Sequence, residues 1–253
     1  MRNLNYSQLA TKIQNWLKSY LEEANLRGYI LGLSGGIDSA VTASLCVNAV
    51  GKKNVIALNM PCGSIIQDYE DAKLIAEMLD IKMHTVDLTA TFEGFYDTIS
   101  PNVRTNKIAV SNIKPRLRMT TLYFFGQSYN YLVAGTGNRS EIAIGYFTKY
   151  GDGGVDLEPI GGLYKCEVRT LARTLEIPEK VITKPPSAGL WQGQTDEEEI
   201  GLTYDLIDEI LYRMDYGFEL DEFKESEVNK VKDLMKKAAH KNRMPPLFEV
   251  KGN

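Results

Sequence analysis

The chain has 253 residues, 43% hydrophobic and 25% charged, with a formal net charge of −4, which suits one full α/β core and excludes a low-complexity or fibrous protein. The acidic balance argues against a nucleic-acid partner, which calls for a basic face. Cys46, Cys62 and Cys166 form no C-x-x-C or zinc spacing, and no leader-like or membrane-length apolar run is present, so the reading is three small buried thiols in a cytoplasmic protein without a membrane partner.

Leu4, Leu9, Ile13, Trp16, Leu17, Tyr20 and Leu21 recur at helical spacing and predict a helix over about residues 5–26. Residues 28–33, GYILGL, read as a buried parallel strand. The strand runs into Ser34-Gly35-Gly36 and then a helix over 37–50 whose first turn carries Asp38 and Ser39. Adjacent glycines let the backbone turn sharply and approach a ligand, and the helix start offers unpaired N–H groups to a phosphate. No Lys follows the glycines, so this is not a Walker A loop. Asp38 would repel phosphate unless a divalent cation lay between them, which makes it a candidate Mg²⁺ ligand. The same residues also suit an ordinary strand–turn–helix junction, with Ser34 as a cap and Asp38 complementing the dipole.

Residues 54–60 and 81–86 read as further strands and 67–79 as the helix between them. This alternation predicts right-handed crossovers and a doubly wound, mostly parallel sheet flanked by helices, in a single domain over 1–253. A short helix is expected over 89–99. The 102–130 stretch should break near Lys114, because Pro115 does not sit in a helix interior. Arg116 and Arg118 follow, and Tyr123, Phe124 and Phe125 form an apolar group that could pack internally or against a second subunit.

Residues 131–134 are a fourth strand leading into GTGNRSE, a second glycine turn with the Thr136 hydroxyl, and Glu141 one turn into the next helix. Two glycine turns at the carboxyl ends of strands are what a nucleotide in a sheet crevice needs. Glu141 could complete a metal site with Asp38, or simply complement its helix dipole. Residues 145–156, GYFTKYGDGGVD, are too glycine-rich for core and read as a functional loop. Lys165 opens a helix against the dipole, which a phosphate partner would explain. Residues 184–195 (KPPSAGLWQGQT) resemble a lid around Trp191. An acidic helix start at 195–199 and amphipathic helices over 200–214 and 225–239 precede a basic cluster, His240-Lys241-Asn242-Arg243, which also suits a solvated helix end.

SGGIDS is similar to the SGG-x-DS loop of the N-type ATP pyrophosphatases. Within that superfamily, GTGNRSE, GYFTKYGDGGVDLEPIGGLYK and the terminal HKNRMPP resemble, in order and over nearly the whole chain, the motifs of the ammonia-dependent NAD synthetases. That resemblance implies an adenine-nucleotide α-hydrolase-like, Rossmann-like fold. It implies that Gly32, Leu33, Ser34, Gly35, Gly36, Ile37, Asp38 and Ser39 hold ATP phosphates, with Thr136, Lys165 and Ser187 also on ATP. Asp38 and Glu141 are implied as Mg²⁺ ligands, and Arg116, Lys149, Asp156, His240 and Lys241 as contacts to deamido-NAD. It also implies a homodimer with the substrate lying across the interface, for which 102–130 is the candidate contact. The chain departs from the family where many members have GTDHAAE in place of GTGNRSE, which bears on the contacts around Thr136. It also departs where Thr often stands at the position of Ser187, and there the hydroxyl is kept.

The implied reaction is amidation of a nicotinate carboxylate through an acyl-adenylate, with release of AMP and pyrophosphate. Asp38, Glu141 and Lys165 are the expected catalytic residues. Free ammonia, or ammonia from a separate subunit, is the expected donor, because the length leaves no room for a glutamine-hydrolysing domain. Other ATP pyrophosphatases (GMP synthetase-like or tRNA-modifying) and a non-catalytic adenine-nucleotide sensor on the same fold are the alternatives.

Overall fold

The computed structural model describes residues 1–64, 66–187, 189, 193 and 195–249. Helix α1 (Tyr6–Glu23) starts at Asn5, whose side chain accepts from the Gln8 N–H, and ends just before Asn25, whose φ is 54°. There follow β1 (Gly28–Gly32), α2 (Ile37–Val50), β2 (Val55–Asn59), α3 (Ile66–Leu79), β3 (Lys82–Thr85), α4 (Thr89–Ile99), α5 (Lys107–Ser111), α6 (Ile113–Tyr129) and β4 (Tyr131–Val133). The remaining helices are α7 (Arg139–Ile144), α8 (Lys165–Thr174), α9 (Glu179–Ile182), α10 (Asp196–Ile200), α11 (Tyr204–Tyr216) and α12 (Glu225–Ala238).

The four strands form one parallel sheet in the order β3-β2-β1-β4. The chain runs outward from β1 to β3, then returns to lay β4 on the other side of β1. The strand order reverses between β1 and β4, and a crevice opens at the carboxyl ends of strands at such a point. The two glycine loops leave the sheet there, one from each strand. β3 is one edge, and on the other side the outer face of β4 is capped by residues 156–157, where Asp156 N donates to Val133 O (3.0 Å) and Gly135 N to Leu157 O (2.8 Å).

Strand residues alternate between two faces. Tyr29 and Leu31 join α1, α2 and α8 in one core cluster. Ile30, Ile56, Leu58 and Val133 point the other way and pack with Leu88, Leu122 and their neighbours. A third cluster, from α7, α11 and α12 with Tyr164 and Ile200, lies in the carboxyl-terminal part of the chain.

Two boundaries differ from the sequence reading. The break expected near Lys114 falls two residues earlier, at Asn112, and Pro115 lies in the first turn of α6. Its missing N–H costs nothing there, because first-turn donors have no partner within the helix. The helix expected over 200–214 is also interrupted. Gly201 takes φ 69° and ends α10, and α11 restarts at Thr203, whose hydroxyl accepts from the Leu206 N–H.

Candidate active site

Strand β1 ends at Gly32, and Leu33 continues its ladder by donating to Leu58 O (2.8 Å). Gly35 has φ +81°, and a Cβ there would lie 2.4 Å from the carbonyl oxygen of Asp68 on α3, so the loop is threaded where only glycine fits. Ser34 Oγ accepts from the Gly36 N–H (3.2 Å) and lies 3.1 Å from Ser39 Oγ, and the Ser39 hydroxyl donates to Gly36 O (2.9 Å). These bonds brace the turn from inside. Gly36, not Ser34, is the N-cap of α2, with no side-chain cap. The first N–H groups of that helix, from Ile37 onward, are left for an external acceptor.

Asp38 projects from that first turn to meet Lys165 and Asn138. Lys165 Nζ donates to Asp38 Oδ2 (2.6 Å) and Glu141 Oε1 (2.8 Å), and Asn138 Nδ2 donates to Asp38 Oδ1 (2.9 Å). The Lys165 side chain is 3% exposed, and its ammonium lies 5.0 Å from the centre of the Tyr204 ring. Burial by itself lowers the Lys165 pKa, but Asp38 and Glu141 together outweigh it and hold the lysine charged. Burial pushes the Glu141 carboxyl above the usual carboxylate range, with Lys165 opposing the push and Asp38 adding to it. The expected phosphate partner of Lys165 is here replaced by the two carboxylates that the sequence proposed as metal ligands.

A second group gathers at the far end of α7. Arg116 donates to Lys149 O (3.4 Å), Lys149 Nζ to His240 O (2.6 Å), and Lys241 Nζ to Gly145 O and Phe147 O (both 2.7 Å). Burial lowers the Lys241 pKa. Arg116, Lys149, His240 and Lys241 are thus brought together around the 145–156 loop. Gly145 closes the helix whose first turn carries Glu141, so these two residues are separated by about 6 Å of helix axis. Asp156 stands apart from these cations. It accepts from the Tyr123 hydroxyl (3.0 Å) and the Val133 N–H (2.8 Å), so both its oxygens serve the junction of α6 and β4. Thr136 is half-buried at the tip of the second glycine turn. Ser187 is exposed and accepts from the Gly189 N–H (3.1 Å). Trp191, the centre of the expected lid, lies outside the described residues.

The sequence profile described as NAD synthase matches residues 9–245. The chain belongs to the NAD synthase family. It is 49% identical to the NH(3)-dependent NAD(+) synthetase of Carboxydothermus hydrogenoformans over 96% of this chain and 97% of that one. Its fold superposes on the NMN synthetase of Francisella tularensis with a TM-score of 0.90 at 35% identity, covering 98% of this chain and 100% of the other. The NH3-dependent NAD synthetase of Campylobacter jejuni gives a TM-score of 0.84 at 31% identity, covering 97% and 100%.

In this NAD synthase family member, Asn138 and Tyr204 also join the candidate site, through Asp38 and Lys165. Asn138 is fully buried and forms a capping box with Glu141: its side chain accepts from the Glu141 N–H (3.0 Å), and Glu141 Oε2 accepts from the Asn138 N–H (3.4 Å). The N-x-x-E pattern in GTGNRSE signals that box. Nothing local marks Tyr204, which arrives from α11. Glu158 lies beneath the second glycine turn, accepting from the Gly137 N–H (2.9 Å). Burial pushes its carboxyl up to about 8. Among the described residues no group of three or more His, Cys, Asp or Glu side chains is placed to cage a metal. Two carboxylates already sharing one cation, beside a phosphate-type loop, suit an ion such as Mg²⁺ that takes few protein oxygens and completes its shell with water and phosphate.

Proposed function

We propose that this protein amidates deamido-NAD to NAD with ammonia and ATP, releasing AMP and pyrophosphate. The observation that carries this reading is the meeting of Asp38, Glu141 and Lys165 at the mouth of the SGGIDS loop. Family membership names the reaction class, a carbon–nitrogen ligation.

A carboxylate cannot be amidated directly, because oxide would have to leave. In the proposed sequence a nicotinate carboxylate oxygen attacks the α-phosphorus, the bond to the β-phosphate breaks, and pyrophosphate leaves. Ammonia then attacks the acyl carbon, AMP leaves, and one proton is lost. The loop from Gly32 to Ser39, with Thr136 and Ser187, would seat ATP. Lys165 would shift from carboxylate to phosphate and stabilise the departing charge. Mg²⁺ on Asp38 and Glu141 would supply further neutralisation. Arg116, Lys149, His240 and Lys241 would receive the dinucleotide, and Asp156 would join them by giving up its contact with Tyr123. No side-chain nucleophile is needed, so positioning and exclusion of water are the protein's main contributions.

We further propose a homodimer working in the cytoplasm. No described helix is long and apolar enough to cross a membrane, and all three thiols are free.

The similarity to an NMN synthetase favours a second acceptor, nicotinate mononucleotide, which presents the same carboxylate on half the ligand. The test is one set of incubations with Mg-ATP and ammonium, offering each acceptor in turn and assaying the amide product, AMP and pyrophosphate. Equimolar NAD, AMP and pyrophosphate, with the higher kcat/KM on deamido-NAD, would support the first reading. A higher value on the mononucleotide would transfer the assignment to the second. ATP binding without product from either acceptor would sink both.

A further inference from the structure

Asp208 is a carboxylate with 1% of its surface exposed, on a helix that contributes no residue to the motifs above. Its partners explain its place. The Ser140 hydroxyl donates to Asp208 Oδ1, and the Cys166 N–H donates to Oδ2 (2.8 Å). Ser140 Oγ in turn accepts from the Lys165 N–H (3.0 Å). Ser140 immediately precedes Glu141 on α7, and Cys166 immediately follows Lys165 on α8. The four groups close a ring joining the two helices beside the residues that carry Glu141 and Lys165. Two first-turn donors of α8, which have no partner within their own helix, are satisfied by it.

The same face of α11 makes the other contacts. Asp215, two turns further on, accepts from Arg139 (2.6 and 3.1 Å) and from the Tyr164 hydroxyl (2.6 Å). Arg139 and Tyr164 are the residues just before Ser140 and Lys165. Tyr204, one turn before Asp208, places its ring against the Lys165 ammonium. By contrast, Asp205 on α11 pairs with Arg169 at the surface, far more exposed than Asp208.

We propose that Asp208 is a positioning residue for the reaction: through Ser140 and the Cys166 N–H it locks the start of α8 onto α7 and sets the separation of Lys165 from Glu141. It touches no reactant. This inference rests on the reading of Lys165 and Glu141 as catalytic. A misplacement of about 1 Å in a reacting constellation costs on the order of 100-fold, so the ring governs kcat more than substrate affinity.

The experiment compares D208A, D208N, S140A and R169A with wild type and K165A, measuring kcat and KM for deamido-NAD together with thermal unfolding. D208A is expected to lose roughly 10–100-fold in kcat with KM little changed, while remaining folded at the assay temperature. D208N keeps an acceptor for the Cys166 N–H and should recover most of that loss. R169A, which unties only the surface pair between α8 and α11, should match wild type. If D208A does not fold, S140A decides, with an expected loss of about 10-fold in kcat and a melting temperature near wild type. Wild-type kcat in a folded D208A or in S140A would overturn the proposal, as would D208N being as impaired as D208A. An active K165A would overturn the catalytic reading instead.

Discussion

The ammonium of Lys165 neutralises two carboxylates that would otherwise face one another. Replacing Lys165 with Met should therefore do two things. Turnover should fall by roughly 10²–10³-fold, as when one preorganised charge-stabilising group is lost. Stability should also fall, toward the 3–5 kcal/mol typical of a broken buried pair, unless Glu141 takes up a proton. Steady-state assays and denaturant titration separate the two effects. Asp38→Ala and Glu141→Ala should lose turnover with the fold intact, and wild-type turnover in either would remove that residue from the mechanism. Glu158 gives a pH signature. Its carboxyl is raised in the fold to about 8, so between its ordinary value and 8 the native state holds a proton that the unfolded state has lost. Stability should therefore decrease as pH rises through that window, by no more than about 1.4 kcal/mol per unit. Glu158→Gln should flatten the decline, read from melting curves at pH 5 and pH 9. At this scale each motif was legible as a local candidate, because a glycine turn or a charge at a helix start leaves a short-range mark. Their convergence was legible in part: Glu141 read as completing a metal site with Asp38, but Lys165 read toward phosphate, and nothing local showed that its ammonium bridges the two carboxylates from a third helix. Asp156 shows the opposite limit: its motif marked it as a substrate contact, while its oxygens are engaged by Tyr123 and Val133.

Among the elements, α3 does more than cross from β2 to β3. Its backbone at Asp68 fills the space where a Gly35 side chain would go. Gly35→Ala should combine a left-handed strain of about 1–3 kcal/mol with an overlap onto a backbone carbonyl that cannot swing aside. The expected outcome is a lower melting temperature and weakened ATP binding by calorimetry, and unchanged binding would show that the loop tolerates displacement. The strands and crossover helices were readable from apolar runs and their spacing. The misplaced boundaries have simple causes. Pro115 is forbidden deep in a helix but welcome in its first turn, and a pattern of residue types does not show which turn it occupies. Gly201 divides two stretches whose apolar spacing runs on through it, so periodicity alone reads them as one helix.

For the whole molecule, two expectations concern assembly and cooperativity. Ile108 and Phe124 are each 68% exposed, and Phe95 is 47% exposed. On the dimer proposal a second copy covers part of this surface. Phe124→Glu should then shift the mass in light scattering from dimer toward monomer and reduce turnover, whereas a wild-type chain that is monomeric at all concentrations would refute the dimer. Residues 1–253 are proposed to fold as one unit, which calorimetry would show as a single transition with equal calorimetric and van't Hoff enthalpies.

The sheet has two outer strands of modest length. β3 runs for four residues with Lys82 and Thr85 exposed at its ends, and β4 runs for three. An unpaired strand edge is a template for amyloid-like addition of another chain; brevity and charge blunt it at β3, and residues 156–157 already occupy it at β4. Concentrated solutions of this protein should thus resist cross-β growth.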